Sequence, residues 1–272
     1  MNWAKTLQHD IQSGLFRWRY LAGVLLFTIP CIELFRSCLT IGMEATWIDY
    51  MAACFKGVSL QSATNRTVEL PISWLLIMAG ANLMSLDYFF GDLSREGHQI
   101  LLRCNSRCGW YLSKCAWNLM SSTLFFLIGV STVTIFALVS NGRFALENTP
   151  ALLQMLFLGE TVLPVSGIVS FLTVVFTPWA TICALNMVQM TMLLYIKPIY
   201  SFLVCMVLLL SAVYIPTGWC LGNGAMVLRS TAFMGVGLPV WQAWIVICAL
   251  MTVSLLIGMV RIRKMDFLTM EV

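Results

Sequence analysis

The feature that most constrains this chain is a series of apolar runs, each close to the length that a helix needs to cross a bilayer. A helix must cover roughly 30 Å of hydrocarbon at about 1.5 Å per residue, so about 20 apolar residues suffice. Runs of this kind begin near Tyr20, Pro71, Tyr111, Leu163, Ile199 and Trp241. The 272 residues are 60% hydrophobic and 10% charged, against about 25% charged in an ordinary soluble domain. Water is a poor solvent for such a surface, and lipid is a good one. No gap between the runs holds the roughly 50 residues that a separate folded domain requires. The expected fold is therefore all-α: a polytopic membrane helical bundle of about six transmembrane helices, forming a single transmembrane domain over 1–272.

The runs are punctuated in physically readable ways. Span one covers about Tyr20 to Ile41, with Pro30 expected to kink it because proline lacks a backbone donor. Residues 42–70 form the longest polar gap, holding Glu44, Asp49, Lys56, Arg66 and Glu69. Pro71 suits the first turn of span two, which ends near Phe90, and span three runs from about Tyr111 to Val139. The stretch from Leu163 to Tyr195, with Pro164, Pro178 and Asn186, reads as one long, broken or tilted fourth span. Span five covers about Ile199 to Ile215, and a Gly-rich stretch over 217–240 separates it from span six, Trp241 to Val260.

Ahead of span one, Trp3, Leu7, Ile11, Leu15 and Trp18 recur every three or four residues. That is one apolar face of a helix, and with Arg17 and Arg19 at its end, 1–19 is expected to lie in the membrane interface. Basic residues favour the cytoplasmic side. With both termini cytoplasmic, the inside receives eleven of the Lys and Arg residues, including Arg95, Arg103, Arg107, Lys114, Lys197, Arg261, Arg263 and Lys264. The outside receives five: Arg36, Lys56, Arg66, Arg143 and Arg229. Trp18, Trp47, Trp74, Trp110, Trp219 and Trp241 fall near span ends, where indole rings favour the interface.

Signals for catalysis are sparse. No Gly-Lys pair occurs, so the chain lacks a phosphate-cradling P-loop. Its histidines are His9 and His98, and neither has a second histidine at ligand spacing. Cys104 and Cys108, with Cys115 beyond, do not supply the four closely paired ligands of structural zinc. Most of the ten cysteines lie inside apolar runs, where thiols act as small hydrophobes. No enzyme activity, cofactor or metal is expected. Charges at membrane depth are functional candidates by default, which singles out Glu33, Arg36, Asp87 and Glu160. Glu33 and Arg36 stand three apart on one helical face and could neutralise each other, or could line a translocation path.

The segment Asp87 to Lys114, DYFFGDLSREGHQILLRCNSRCGWYLSK, is the most informative. Asp92 is a good N-cap, Leu93, Ile100 and Leu101 give a short half-apolar helix, and Gly97 allows close backbone approach. On its own this reads equally as an ordinary basic inner loop. The stretch resembles the first cytoplasmic loop of permease subunits of ATP-binding-cassette transporters, in the exporter class often called type two. The resemblance implies that Arg95-Glu96-Gly97, with Asp92, His98 and Arg103 around it, forms a coupling helix over 91–110 that docks on a separate ATP-hydrolysing subunit. The amphipathic segment before span one is similar to that family's interfacial connecting helix. The region 217–240, with Gly222-Asn223 and Met226 to Arg229, is similar to its external re-entrant region, and Arg261 to Asp266 to its basic tail.

The resemblance implies ATP-driven export of a peptide, lipid-linked or drug-like substrate across a bacterial cytoplasmic membrane. It implies as partners an ATP-binding subunit and a second permease copy or a paralogous permease, with no nucleic acid. Two other classes fit the composition: a channel or secondary carrier that needs no ATPase, and a membrane-embedded peptide sensor or immunity protein.

Overall fold

The computed structural model describes residues 8, 10–11, 18–60, 70–91, 106–157 and 161–264. Among these residues there are helices, turns and two isolated backbone bridges, Thr46 to Arg143 and Ser230 to Leu238, but no strand. A 3₁₀ turn at Trp18–Leu21 leads into α1 (Ala22–Ile41). It is followed by α2 (Trp47–Cys54), α3 (Ile72–Gly91), α4 (Arg107–Val139) and α5 (Pro150–Leu156). A continuous helix α6 spans Gly167–Met192, then come α7 (Pro198–Tyr214), a short α8 (Thr231–Met234) and α9 (Val240–Lys264). Among the described residues, four stretches are long and apolar enough to cross a membrane: Arg19–Ile41, Arg107–Val139, Gly167–Met192 and Val240–Lys264. Two shorter apolar helices, α3 and α7, pack beside them. The chain is an all-α membrane bundle.

The bundle is organised around α6. Two thirds of its apolar window is buried (67%), against 28%, 33% and 22% in the other three long helices. From Thr177 to Thr191 every residue except Trp179 is buried, and α9, α4 and α3 all pack on this stretch. The long region read as a broken span is thus a single helix with a π turn at Leu172–Phe176. The cause lies one turn ahead. Pro178 has no N–H to give and its ring clashes with the carbonyl four residues back. The wider turn relieves that clash. Leu172 O accepts the Thr177 N–H and also the Thr177 hydroxyl at 2.9 Å, so the disrupted ladder keeps a partner. Tight packing elsewhere requires glycine: a Cβ at Gly258 of α9 would collide with the Tyr111 phenol of α4.

At one end of the bundle, three connections are laced into a layer. Val227 and Leu228 donate backbone N–H groups to Phe55 O and Lys56 O (2.9 and 3.1 Å). Trp47 donates to Arg143 O (2.9 Å), and Leu163 to Phe233 O (2.8 Å). The polar gap after α1 therefore contains a helix that the gap's charges conceal: all eight residues of α2 are buried. Its start is a capping box, Thr46 accepting from Asp49 N–H while Asp49 accepts from Thr46 N–H at 2.9 Å. Gly57, at φ +73° and in contact with Met226, makes the turn that brings this segment under the layer. We call this the capped end.

The opposite end is basic. Arg107, Arg261, Arg263 and Lys264 gather there, Arg261 donating to Leu194 O at 3.4 Å and Arg107 to Arg263 O at 3.3 Å. Tryptophan placement departs from the expected interfacial belt. Trp47, Trp74 and Trp110 are buried in protein, whereas Trp219 and Trp241 are exposed and meet edge to face, 6.4 Å between centroids.

Candidate functional site

Inside the bundle, where α3, α4 and α6 meet, polar side chains replace the expected hydrocarbon. Asn82 and Ser85 come from α3, Asn118, Ser121 and Ser122 from α4, and Asn186 and Gln189 from α6; all are buried. Each lies on the helix face turned to its neighbours, and the packing of α3, α4 and α6 on one another assembles the cluster. Asn186 Nδ2 donates to Ser122 Oγ at 2.8 Å and Ser85 Oγ donates to Gln189 Oε1 at 3.1 Å. Closer to the basic end, Thr191 Oγ1 donates to Ser254 O of α9 at 3.1 Å, with the Tyr111 hydroxyl 3.3 Å away. Hydrogen bonds of this kind between membrane helices contribute about 0.6 kcal/mol each. They hold α6 to three neighbours at once.

The cluster is not fully satisfied. Both carboxamide atoms of Asn118, the Asn186 Oδ1 and the Gln189 Nε2 are buried without a hydrogen-bond partner. Leaving such an atom unpaired costs about 1–3 kcal/mol. A bundle built only for stability would carry apolar residues here. The unpaired atoms include both donors and acceptors. Glutamine and asparagine within apolar runs were the available sequence signal, and of these only Asn186 stood out, as a helix-disturbing residue.

At the basic end, Asp10 packs against the start of α4. Its carboxylate is 2.5 Å from Lys114 Nζ and accepts from Ser113 Oγ at 2.7 Å, and all three residues are buried. Lys114 also lies over the Trp110 ring, 5.4 Å from its centroid. A buried ion pair with these extra bonds is the sort that survives desolvation. It ties the segment before α1 to the helix that follows residues 92–105.

The capped end holds a second buried cation. Arg229 is wholly buried, and no carboxylate pairs with it among the described residues. Its guanidinium donates to the carbonyls of Ala212 and Val213, in the last turn of α7, and to Val58 O at 2.9 Å and Asn223 Oδ1. The C-terminal carbonyls of a helix carry partial negative charge and lack helical partners, so Arg229 acts as a fixed C-cap. Burial pulls its pKa down to about 10, which leaves it charged at neutral pH. The small cavity beside it, lined by Asn223, Gly224, Ser230 and Pro239, belongs to this cap.

Of the residues expected to couple the chain to an ATPase, Asp92, Arg95, Glu96, Gly97, His98 and Arg103 lie outside the described residues, as do Cys104 and Glu160. Glu33 and Arg36 are both exposed on α1 and form no ion pair with each other. Among the described residues no group of three or more His, Cys, Asp or Glu side chains is placed to hold a metal.

Compared with known proteins, the chain matches no family model, no curated protein and no solved structure.

Proposed function

We propose that the chain is the membrane-spanning permease subunit of an ATP-driven exporter of the ATP-binding-cassette class, energised by a separate ATP-binding subunit. In this reading the four long helices together with α3 and α7 make six crossings of a bacterial cell membrane, with the basic end in the cytoplasm and the capped end outside. The observation that carries the reading is the Arg95-Glu96-Gly97 segment and its basic flank, in the connection between α3 and α4. Two features support it. Asp10 joins the segment before α1 to the base of α4, so a push on one is felt by the other. Residues Leu221 to Met234 turn back into the capped end as short buried helices, as a re-entrant region would. ATP-driven closure of the partner would act through residues 92–105 on α3 and α4 as a rigid-body switch. The unsatisfied carboxamides between α3, α4 and α6 are suited to a layer that changes partners as those helices shift.

Affinity purification in mild detergent tests this. An ATP-binding subunit should accompany the wild-type chain, and Glu96→Lys should abolish transport with expression unchanged. Transport that survives Glu96→Lys would remove residues 92–105 as the coupling element. Solute movement by the purified chain alone, in vesicles without ATP, would replace the permease by a channel or carrier.

A further inference from the structure

The outward face of α1 carries two exposed charges, Glu33 and Arg36, within an otherwise apolar row. Its inward face, Phe27, Cys31, Leu34 and Cys38, is buried against the core. At about 100° per residue, Arg36 stands opposite Phe27 on the helical wheel. The residues exposed with it, Leu25, Ile29, Ile32 and Leu39, recur with Arg36 at spacings of four, three, four and three. That is a heptad seam, the pattern by which one helix packs against another, with a single polar residue in an apolar row. Glu33 flanks the seam and is also exposed.

Lipid is a poor neighbour for these charges. Glu33 lies about 13 Å along the axis from Gly42 and Arg36 about 9 Å, at 1.5 Å per residue. Arginine at that depth can extend to the interface; a glutamate one turn deeper cannot. Ser37 and Thr40 donate their hydroxyls to the carbonyls of Glu33 and Arg36 (3.1 and 3.0 Å), so neither neutralises a side chain. The two charges are opposite, three residues apart, and form no ion pair among the described residues. Charged groups inside a membrane almost always face protein or water and pair with one another.

We infer that this face of α1 docks on the same face of a second copy of the chain, with Glu33 of each copy paired to Arg36 of the other. A two-fold axis along the membrane normal makes the patch self-complementary, since residue i meets j and j meets i. The ion pair forms twice, and Arg36 fixes the register of the seam. This deepens the permease reading, on which it rests for the expectation that two permease chains meet.

Two differently tagged copies, co-expressed and solubilised in mild detergent, provide the test. Wild-type copies should co-purify. Glu33→Arg expressed alone places only cations at the seam, and Arg36→Glu alone only anions, and each should lower co-purification about tenfold. Co-expression of the Glu33→Arg chain with the Arg36→Glu chain should restore it, because opposite charges then meet across the axis while each chain remains mispaired within itself. That restoration also demonstrates that both variants fold. Independently, Leu39→Cys should form an oxidant-induced disulfide dimer, and Leu203→Cys, on the exposed face of α7, should not. Absence of wild-type pairing, failure of the mixed variants to restore it, or cross-linking through position 203 and not 39 would overturn the proposal. An ATP-binding subunit retained without copy pairing sinks the docking face and leaves the permease reading intact. Copy pairing without any ATPase does the reverse.

Discussion

The two ends of the molecule treat charge differently, although the capped end also carries one exposed ion pair, Arg143 with Glu44 at 2.8 Å. At the capped end Asp49, Lys56 and Arg229 are drawn into the protein, and each is satisfied at helix termini. Asp49 accepts the N–H groups of Thr46 and Thr149, the N-cap residues of α2 and α5. Lys56 donates to Leu156 O at the end of α5 (2.9 Å), and Arg229 caps α7. At the basic end Arg19, Arg107, Arg263 and Lys264 stay exposed, and Lys114 is buried with Asp10. A terminus left unsatisfied near a membrane has no water to rescue it. The buried charges at the capped end therefore fix loops in place, while most of those described at the basic end lie on the surface. One end closes over the bundle with buried charge, and the other keeps most of its charge on the surface.

The sharpest way to break this comparison is Arg229→Ala. It strands two carbonyls at the end of α7 and removes the link to Val58. Hydrogen bonds to a charged donor contribute about 1.5–3 kcal/mol each, so a loss above about 3 kcal/mol is expected. Thermal unfolding in detergent, followed by size-exclusion after heating, reads it. Truncating exposed Arg263 should leave the same curve in place. A variant as stable as wild type would mean that the capped end does not depend on its buried cation.

Lys114→Met comes next. Removing one partner of a buried pair costs about 3–5 kcal/mol because the other charge is stranded, and Asp10 would be that charge. The loss should be local. Protease protection around Asp10 should fall while unfolding of the capped end stays unchanged. A double change of Asp10→Asn with Lys114→Met should recover part of the protection, whereas no recovery would show that the pair is not what holds the segment.

How much of this was readable beforehand follows from the range of each interaction. Helix α3 starts at Ile72, directly after Pro71, and α1 stops at Ile41, before a glycine at φ +75°. Local chemistry set both, and apolar length was enough for the long helices. The start of α4 at Arg107, a turn ahead of the expected Tyr111, follows from Ser106, whose side chain caps it. Charge counting misled in the gap after α1, where the Thr46 to Asp49 box outweighs the local polarity. The partners of Arg229 lie at Val58 and Ala212, and no period in the sequence joins such positions. The same holds for Asn118 and Asn186, whose neighbours depend on which helices pack together. For Glu33 and Arg36 the spacing permitted an internal pair, and only the fold reveals that both point outward.

Asp49 offers the smallest and most direct test of how buried charge behaves at the capped end. Burial raises its pKa above the usual carboxylate value of 3.8, against the pull of the Thr149 and Thr46 N–H groups, which favour the anion. Its folded pKa is therefore the higher one, and the folded state holds the proton over a pH range where the unfolded chain has released it. The stability linked to that proton is fully present below the unfolded value and is lost as pH rises through the folded one. Asp49→Asn should remove this dependence. It should also cost about 1 kcal/mol at neutral pH, because one carboxamide oxygen cannot accept both N–H groups and the amide end faces a donor. Unfolding curves between pH 4 and 7 should then be flatter for the variant than for wild type. A variant that keeps the wild-type slope would assign the dependence to another group and leave Asp49 as an ionised double cap, held charged by backbone alone.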